Sequence, residues 1–221
     1  MARIELELFY DYQCSYSYRA IRWLDALDPA MVQLIARPFA QEQINRDPTA
    51  TTWRLWEQPL DYQHHEGRAR SRSLAAFLAT ASVELSDAPE VARRFRLAVF
   101  EARWTDRRDV SDPTVLIELA AVVGADSASL VETLTGTSPT GADRQLVARA
   151  RIAADWAAAR SDFAIFGVPT LRWGEHAPVY LRLDRLPEPE EGPDLFASIV
   201  GLRERFPLVL ELKVPARLEA N

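Results

Sequence analysis

Cysteine occurs once in this 221-residue sequence, as Cys14. With no second cysteine, no disulfide can close within the chain, and catalysis by an internal dithiol pair is excluded. Lysine is nearly absent too: of 26 basic residues only Lys213 is lysine, a lean toward arginine that looks like high-GC coding bias and carries no mechanism. No stretch approaches the roughly 18 to 20 apolar residues that cross a bilayer, so no membrane partner is expected. Nor is there a basic excess. The formal net charge is −6, and nucleic-acid surfaces normally announce themselves by positive charge, so nucleic acid is not an expected partner. What is abundant is apolar side chain, 48% of the sequence, enough to fill the core of one large domain or of one domain with an inserted subdomain. The opening Met-Ala-Arg-Ile-Glu-Leu-Glu-Leu goes straight into strand alternation, without the basic region and apolar stretch of a secretory signal. The expected location is therefore the cytoplasm, where structural disulfides are rare.

Periodicity divides the chain into two kinds of segment. Ile4, Leu6, Leu8 and Tyr10 alternate with Glu5, Glu7 and Phe9, which predicts a strand. Residues 17–28 change to helical spacing through Tyr18, Ile21, Trp23, Leu24 and Leu27, and Pro29 ends them. A second strand follows over 31–39, closed by Arg37-Pro38. A strand, helix, strand unit of this length predicts a parallel pair. From about 41 to 160 only helical periods appear: 66–81, 89–104, a helix begun by Ser111-Asp112-Pro113 and ended at Gly124, 127–134, and a last one running to about 159, with 136–141 as a turn-rich break. In the 89–104 helix Val91, Phe95, Ala98, Val99 and Ala102 share a face. Strand signals return at 167–173 and 177–183, joined by Gly174-Glu175-His176 as a hairpin. A loop over 186–192 and a helix over 193–205 follow, and the tail from Phe206 adds an edge strand or packs on a partner. A homodimer is a candidate assembly.

Cys14 lies where the first strand gives way to the first helix, in Asp11-Tyr12-Gln13-Cys14-Ser15-Tyr16-Ser17-Tyr18. A helix start offers unpaired N–H groups and the positive end of the macrodipole, both of which favour a thiolate. Three residues on, where a dithiol enzyme carries its second sulfur, stands Ser17, so the motif is CxxS. A Ser17 hydroxyl donated to the sulfur anion would contribute about 1.5 to 3 kcal/mol as a charge-assisted bond.

Phe9-Tyr10-Asp11 with Cys14, Tyr16, Ser17 and Tyr18 resembles the active-site segment shared by FrnE-like DsbA proteins, kappa-class glutathione transferases and 2-hydroxychromene-2-carboxylate isomerases. Ser161-Asp162-Phe163-Ala164-Ile165-Phe166-Gly167-Val168-Pro169-Thr170 is similar to their cis-proline loop, and Arg37-Pro38-Phe39 and Arg107-Arg108-Asp109-Val110-Ser111-Asp112-Pro113 onward to Ala120 also match. The resemblance implies a DsbA-like thioredoxin fold of the α/β class: a central mixed sheet with a large all-helical insertion. Residues 1–40 and 161–205 would form the thioredoxin-like domain, 41–160 the helical insertion and 206–221 a tail. The chain departs from both branches of the group. The dithiol branch has cysteine where this chain has Ser17, and the transferase and isomerase branch has serine where it has Cys14.

Three functions follow from the resemblance. In the first, Cys14 is the nucleophile of a monothiol thiol-disulfide oxidoreductase supported by Ser17, with a mixed disulfide resolved by an outside thiol. In the second, a kappa-like transferase or isomerase, Cys14 only holds a cofactor thiolate, so Cys14→Ser has opposite consequences in the two. The third is a non-catalytic module that binds thiol peptides or proteins. In all of them Ser15, Tyr16, Val168, Pro169 and Thr170 line the thiol site, a cis Pro169 leaves the Val168 N–H and C=O free for strand addition by a thiol peptide, and Asp11 plays a supporting part. No tightly bound cofactor and no metal is expected. The co-substrate is a low-molecular-weight thiol, glutathione or mycothiol, and the partners are small thiols, disulfides and protein thiols.

Other polar residues carry blander readings. His64-His65 are adjacent, face different ways on a helix and lack a Cys or carboxylate cluster, so they are expected in solvent. His176 belongs to a hairpin turn and to the surface. Trp53, Trp56, Phe77, Phe95 and Trp104 fit core packing better than a lid over the site. Arg107-Arg108 could recognise an anionic carboxylate but read first as a solvated pair.

Overall fold

The computed structural model describes residues 3–45, 52–62 and 72–211. Strand β1 (Ile4–Tyr10) leads into helix α1 (Ser15–Asp25) and strand β2 (Val32–Pro38), and β1 and β2 run parallel from Ile4 beside Val32 to Tyr10 beside Pro38. Helices α2 (Gln41–Asn45), α3 (Leu74–Ser86), α4 (Pro89–Trp104), α5 (Pro113–Val123), α6 (Ser127–Thr135) and α7 (Pro139–Ala157) follow, with a short 3-10 turn over Leu55–Glu57. The chain then returns to the sheet through β3 (Thr170–Arg172) and β4 (Val179–Tyr180) and closes on α8 (Glu191–Arg205). The sheet is mixed, in the order β2-β1-β3-β4, with β3 antiparallel to both β1 and β4. Among the described residues no helix is long and apolar enough to cross a membrane.

The two residue periods place the core. Leu6 and Leu8 are fully buried on one face of β1, and Ala20, Ile21, Trp23 and Leu24 turn the apolar side of α1 toward it. Helix α3 is buried from Leu74 to Val83 on every side, the pattern of a helix packed within a bundle. On α4, Phe95, Val99 and Ala102 are buried, with Val91 and Ala98 packed at the margin of the same core.

An aromatic nest joins sheet to helices. The Tyr12 ring lies 5.2 Å from Tyr10, 5.7 Å from Phe77 and 4.6 Å from Phe100. Its hydroxyl shares a hydrogen bond with Thr80 Oγ1 at 2.5 Å, and burial pushes the phenol up to about 12. Trp104 Nε1 donates to the Tyr12 carbonyl at 2.9 Å and Arg103 Nε to Gln13 Oε1 at 2.6 Å. The loop that carries Cys14 is therefore anchored to α3 and α4.

Several boundaries differ from the sequence reading for identifiable reasons. Helix α3 continues to Ser86, five residues past the expected end, because Asp87 is the first extended residue and Pro89 starts the next helix. The beginning expected at 66 lies outside the described residues, as do His64-His65. The break expected over 136–141 is shorter: Gly136 ends α6 with φ +61, but Ser138 caps α7 and Pro139 is its first residue. Gly141 is helical, and an added Cβ there would stand 2.3 Å from the Glu132 carbonyl oxygen, so glycine serves close approach of α6 and α7.

The late strands are shorter than 167–173 and 177–183. Pro169 has no N–H to give a ladder and Thr170 Oγ1 occupies the Gly167 carbonyl at 2.7 Å, so pairing begins only at Thr170. Of the tail expected from Phe206, residues 206–211 include a turn, with Val209 N on the Phe206 carbonyl at 3.0 Å, and no strand, while 212–221 lie outside the described residues. His176 is half-buried, its ring 6.0 Å from that of Trp173, instead of lying free on the surface. Phe77 and Phe95 belong to the core, and Trp53, Trp56 and Trp104 pack on its edge. Arg108 pairs with Glu118, while Arg107 is exposed with φ +58.

Candidate active site

Cys14 is the N-cap residue of α1, with extended backbone (φ −101, ψ 114). Its carbonyl accepts from Tyr18 N at 3.1 Å and so opens the helix, and the N–H groups of the first turn have no partner within the helix, as at any helix start. The sulfur does not cap those groups. It turns across to the far segment, where Sγ lies 3.5 Å from the Val168 carbonyl oxygen and the thiol proton is donated to it. Cys14 is 7% exposed, in an apolar nest of Phe9, Phe39, Ala159, Ile165 and Val168, with Tyr16, Trp156 and Phe163 half-buried around it.

The Val168–Pro169 peptide bond is cis. Val168 is fully buried, and its N–H has no hydrogen-bond partner among the described residues. Pro169 accepts from Leu181 N at 3.0 Å, and Thr170 is Phe9's partner in the sheet register. The loop is brought to Cys14 by an unusual approach. Helix α7 widens into a π turn over Ala158–Asp162, Ile165 N reaches back to the Ala159 carbonyl at 2.9 Å, and Ala164 turns with φ +52. Arg160 Nη1 fixes the Ile165 carbonyl at 2.7 Å. π turns of this kind recur at functional sites.

Beneath the loop, Glu7, Arg37, Asp155 and Arg172 tie three strands to α7. Arg37 donates to Glu7 at 2.6 Å and to Asp155 at 2.8 Å, and Arg172 pairs with Glu7. Burial raises the Asp155 carboxyl above its ordinary value, with Arg37 pulling the other way. The Arg172 guanidinium also stacks 3.9 Å from the Phe163 ring centre, which in turn faces Phe9.

The residues singled out from sequence thus fall into two groups. Cys14, Tyr16, Val168 and Pro169 come together, with Ser15 half-buried beside them at the head of α1 and Thr170 behind the loop in β3. Ser17 is fully buried, and its Oγ accepts from Asp11 N at 3.4 Å; the hydrogen bond made by the sulfur goes to Val168, not to Ser17. Asp11 is no exposed helix-start charge. Fully buried, its carboxylate accepts from Gln13 N at 2.9 Å, Gln41 N at 2.9 Å and Ser73 Oγ at 2.5 Å, and so ties the Cys14 loop to the start of α2 and the start of α3.

Sequence reasoning missed the rim. Arg182 donates to the Tyr16 hydroxyl and lies over its ring, 4.1 Å from the centre, and Arg19 approaches the same ring at 5.2 Å. Tyr180 pairs with the exposed Phe166 at 5.2 Å. Burial raises the Tyr180 phenol above its ordinary value, Arg182 opposes this, and Cys14 and Tyr16 add to it, so the four groups share one electrostatic neighbourhood. Only helical spacing from Tyr16 to Arg19 could have pointed to any of this. Among the described residues no group of three His, Cys, Asp or Glu side chains is placed to hold a metal ion.

Comparison with known proteins bears on the fold. The cytosolic disulfide reductase DsbM from Pseudomonas aeruginosa superposes with a TM-score of 0.57 at 17% identity, covering 90% of this chain and 100% of that one. Its structure with GSH gives 0.55 at 18%, covering 89% and 99%. A 2-hydroxychromene-2-carboxylate isomerase gives 0.58 at 14%, covering 93% and 100%. At such identities the likeness is one of fold. No curated protein matches the sequence. Residues 5–187, however, match the DSBA-like thioredoxin domain, and the chain belongs to that family.

Proposed function

We propose that the protein is a thiol-disulfide oxidoreductase acting as a monothiol through Cys14. One observation carries this reading: the only thiol of the chain belongs to the N-cap residue of α1, with its Sγ 3.5 Å from the Val168 carbonyl, on the loop that faces the helix start. The disulfide reductase named among the structural neighbours supports it.

In the first step Cys14 loses its proton to solvent and its thiolate attacks one sulfur of a disulfide. The substrate S–S bond breaks, a Cys14 mixed disulfide forms, and the departing thiolate takes a proton from water. Cys14 is oxidised and the departing thiol reduced. A second, external thiol then attacks the substrate sulfur of the mixed disulfide, restores Cys14 and leaves as a new disulfide. Ser17 has no sulfur to do this internally, so the resolving thiol is a low-molecular-weight one, glutathione or mycothiol, or a protein thiol. Such a cycle suits a compartment that keeps small thiols reduced, the cytoplasm.

The same sites serve binding. The unpaired Val168 N–H can donate to an extended thiol peptide. Once Cys14 is in a mixed disulfide it has no S–H left, and the Val168 carbonyl becomes an acceptor for the substrate's own N–H.

A second reading has one observation in its favour. The Cys14 thiol stands as a hydrogen-bond donor, which is what a transferase or isomerase holding another molecule's thiolate requires, and the 2-hydroxychromene-2-carboxylate isomerase among the neighbours has this fold. The test is turnover of hydroxyethyl disulfide with glutathione by the wild type, Cys14→Ser and Cys14→Ala. Covalent exchange predicts loss in both variants. Activity kept in Cys14→Ser would overturn it in favour of the holding role.

A further inference from the structure

Beside the sulfur the acidic chain gathers positive charge. Tyr16 follows Cys14 by two residues on the first turn of α1 and packs in the same apolar nest. Arg182, just past β4, and Arg19, one turn along α1, both lie against the Tyr16 ring, at 4.1 and 5.2 Å from its centre. Each guanidinium is held by one neutral acceptor: the Tyr16 hydroxyl takes Arg182 Nη2, and the Leu183 carbonyl takes Arg19 Nη1 at 2.9 Å. Neither has a carboxylate within ion-pair distance among the described residues. A guanidinium offers five N–H donors in a planar fork that matches a carboxylate, so most of both forks remains open, in a chain of net charge −6.

Next to the arginines the surface is aromatic. Phe166 is 66% exposed and pairs with Tyr180, whose ring covers Gly167 so closely that an added Cβ would stand 3.3 Å from Cε2. Gly167 precedes Val168, so a peptide laid along the Val168 edge would start beside the aromatic pair. An exposed aromatic surface alone would accept many thiols. The arginines make it selective by charge, because a fixed, unpaired cation favours an anionic partner and repels a cationic one.

We infer that Arg182 and Arg19, positioned on Tyr16, form a carboxylate-recognition subsite that makes Cys14 selective for small anionic thiols and disulfides. This rests on the reading of Cys14 as the sulfur that faces substrate. It decides between the co-substrate classes left open above: glutathione bears carboxylates, whereas mycothiol, a sugar thiol, bears none.

The test compares three disulfides reacting with the reduced protein, measured by intact mass against time: oxidised glutathione, neutral hydroxyethyl disulfide and cationic cystamine. The readout is the rate ratio of oxidised glutathione to hydroxyethyl disulfide within each variant. Arg182→Gln and Arg19→Gln should each lower that ratio roughly two- to five-fold, the range of an exposed charge pair, and raise the share of cystamine. Arg182→Lys should recover part of the loss, since it keeps the charge without the fork. Raising the salt from 0.05 to 0.5 M should lower the wild-type ratio, because the attraction is screened. Equal ratios in wild type and both glutamine variants would overturn the subsite while leaving Cys14 exchange standing. Binding of S-methylglutathione, which cannot exchange, separates the two readings from the other side. Weaker binding in both glutamine variants supports the subsite even where Cys14 reacts with no disulfide, and unchanged binding contradicts it.

Discussion

Cys14 and Val168 meet through a sulfur-to-carbonyl contact of 3.5 Å across 154 positions of sequence. The backbone that carries each end of that contact is held by the fold. Cys14 is fixed by the start of α1, and Val168 by a loop that enters β3 beside β1. Only the short Cys14 side chain spans the gap between them, and placing it on fixed elements is how a site holds its geometry before substrate arrives. The fixing groups behind them are where substitutions should tell.

Asp11 is the first of these. Its buried carboxylate accepts from Gln13, Gln41 and Ser73. Asp11→Ala leaves three donors without an acceptor in a buried place, and should cost about 3 kcal/mol of stability, read from the urea midpoint. Asp11→Asn keeps one acceptor oxygen and should cost less. A loss below about 1 kcal/mol in the alanine variant, within the range of an ordinary surface change, would show that the carboxylate does not hold the loop.

Ser17 sits one turn after Cys14 on the buried side of α1, and positions three apart on a helix are neighbours. Ser17→Cys should therefore restore an internal resolving thiol. On oxidation both free thiols should disappear without a change in the mass of a monomer beyond loss of hydrogen. A mixed disulfide formed on Cys14 should then decay without added thiol. Persistence of two titratable thiols after oxidation would place the side chains out of reach.

Asp109 offers a pH test. The Ser111 hydroxyl holds its carboxyl below the usual range, burial opposes this, and the Ser111 N–H, Arg72 and Arg103 add to the lowering. A folded value below the unfolded one, about 3.9, contributes stability that is present above about pH 4 and lost as pH falls through the folded value. Asp109→Asn should thus be less stable than wild type at pH 7, with the gap closing below about pH 4. A gap that stays constant between pH 7 and pH 3 would contradict the assignment.

Much of this was legible in the sequence because short-range rules govern it. The alternation of Ile4 to Tyr10 gave β1, Asp112-Pro113 and Gly124 gave the ends of α5, and Cys14 and Val168-Pro169 marked the two halves of the site. What the sequence hid depends on tertiary contact. Gly141 signals a turn by composition, yet serves helix approach against the Glu132 carbonyl. Asp11 looks like a helix-start charge until Gln41 and Ser73 arrive from distant segments. Arg182 stands in a nondescript stretch, and only the return of β4 beside β3 brings it to Tyr16. The start of β3 was read too early because Pro169 has no N–H for the ladder and Thr170 Oγ1 occupies the Gly167 carbonyl.

The central claim is that Cys14 forms a covalent bond to substrate sulfur and is released by another thiol. Intact mass after incubation of the reduced native protein with oxidised glutathione tests this most directly. The account predicts one glutathione adduct, absent in Cys14→Ser and removed by reduced glutathione. A native protein that stays unmodified, under conditions in which the same chain unfolded in urea takes up the adduct, would contradict it.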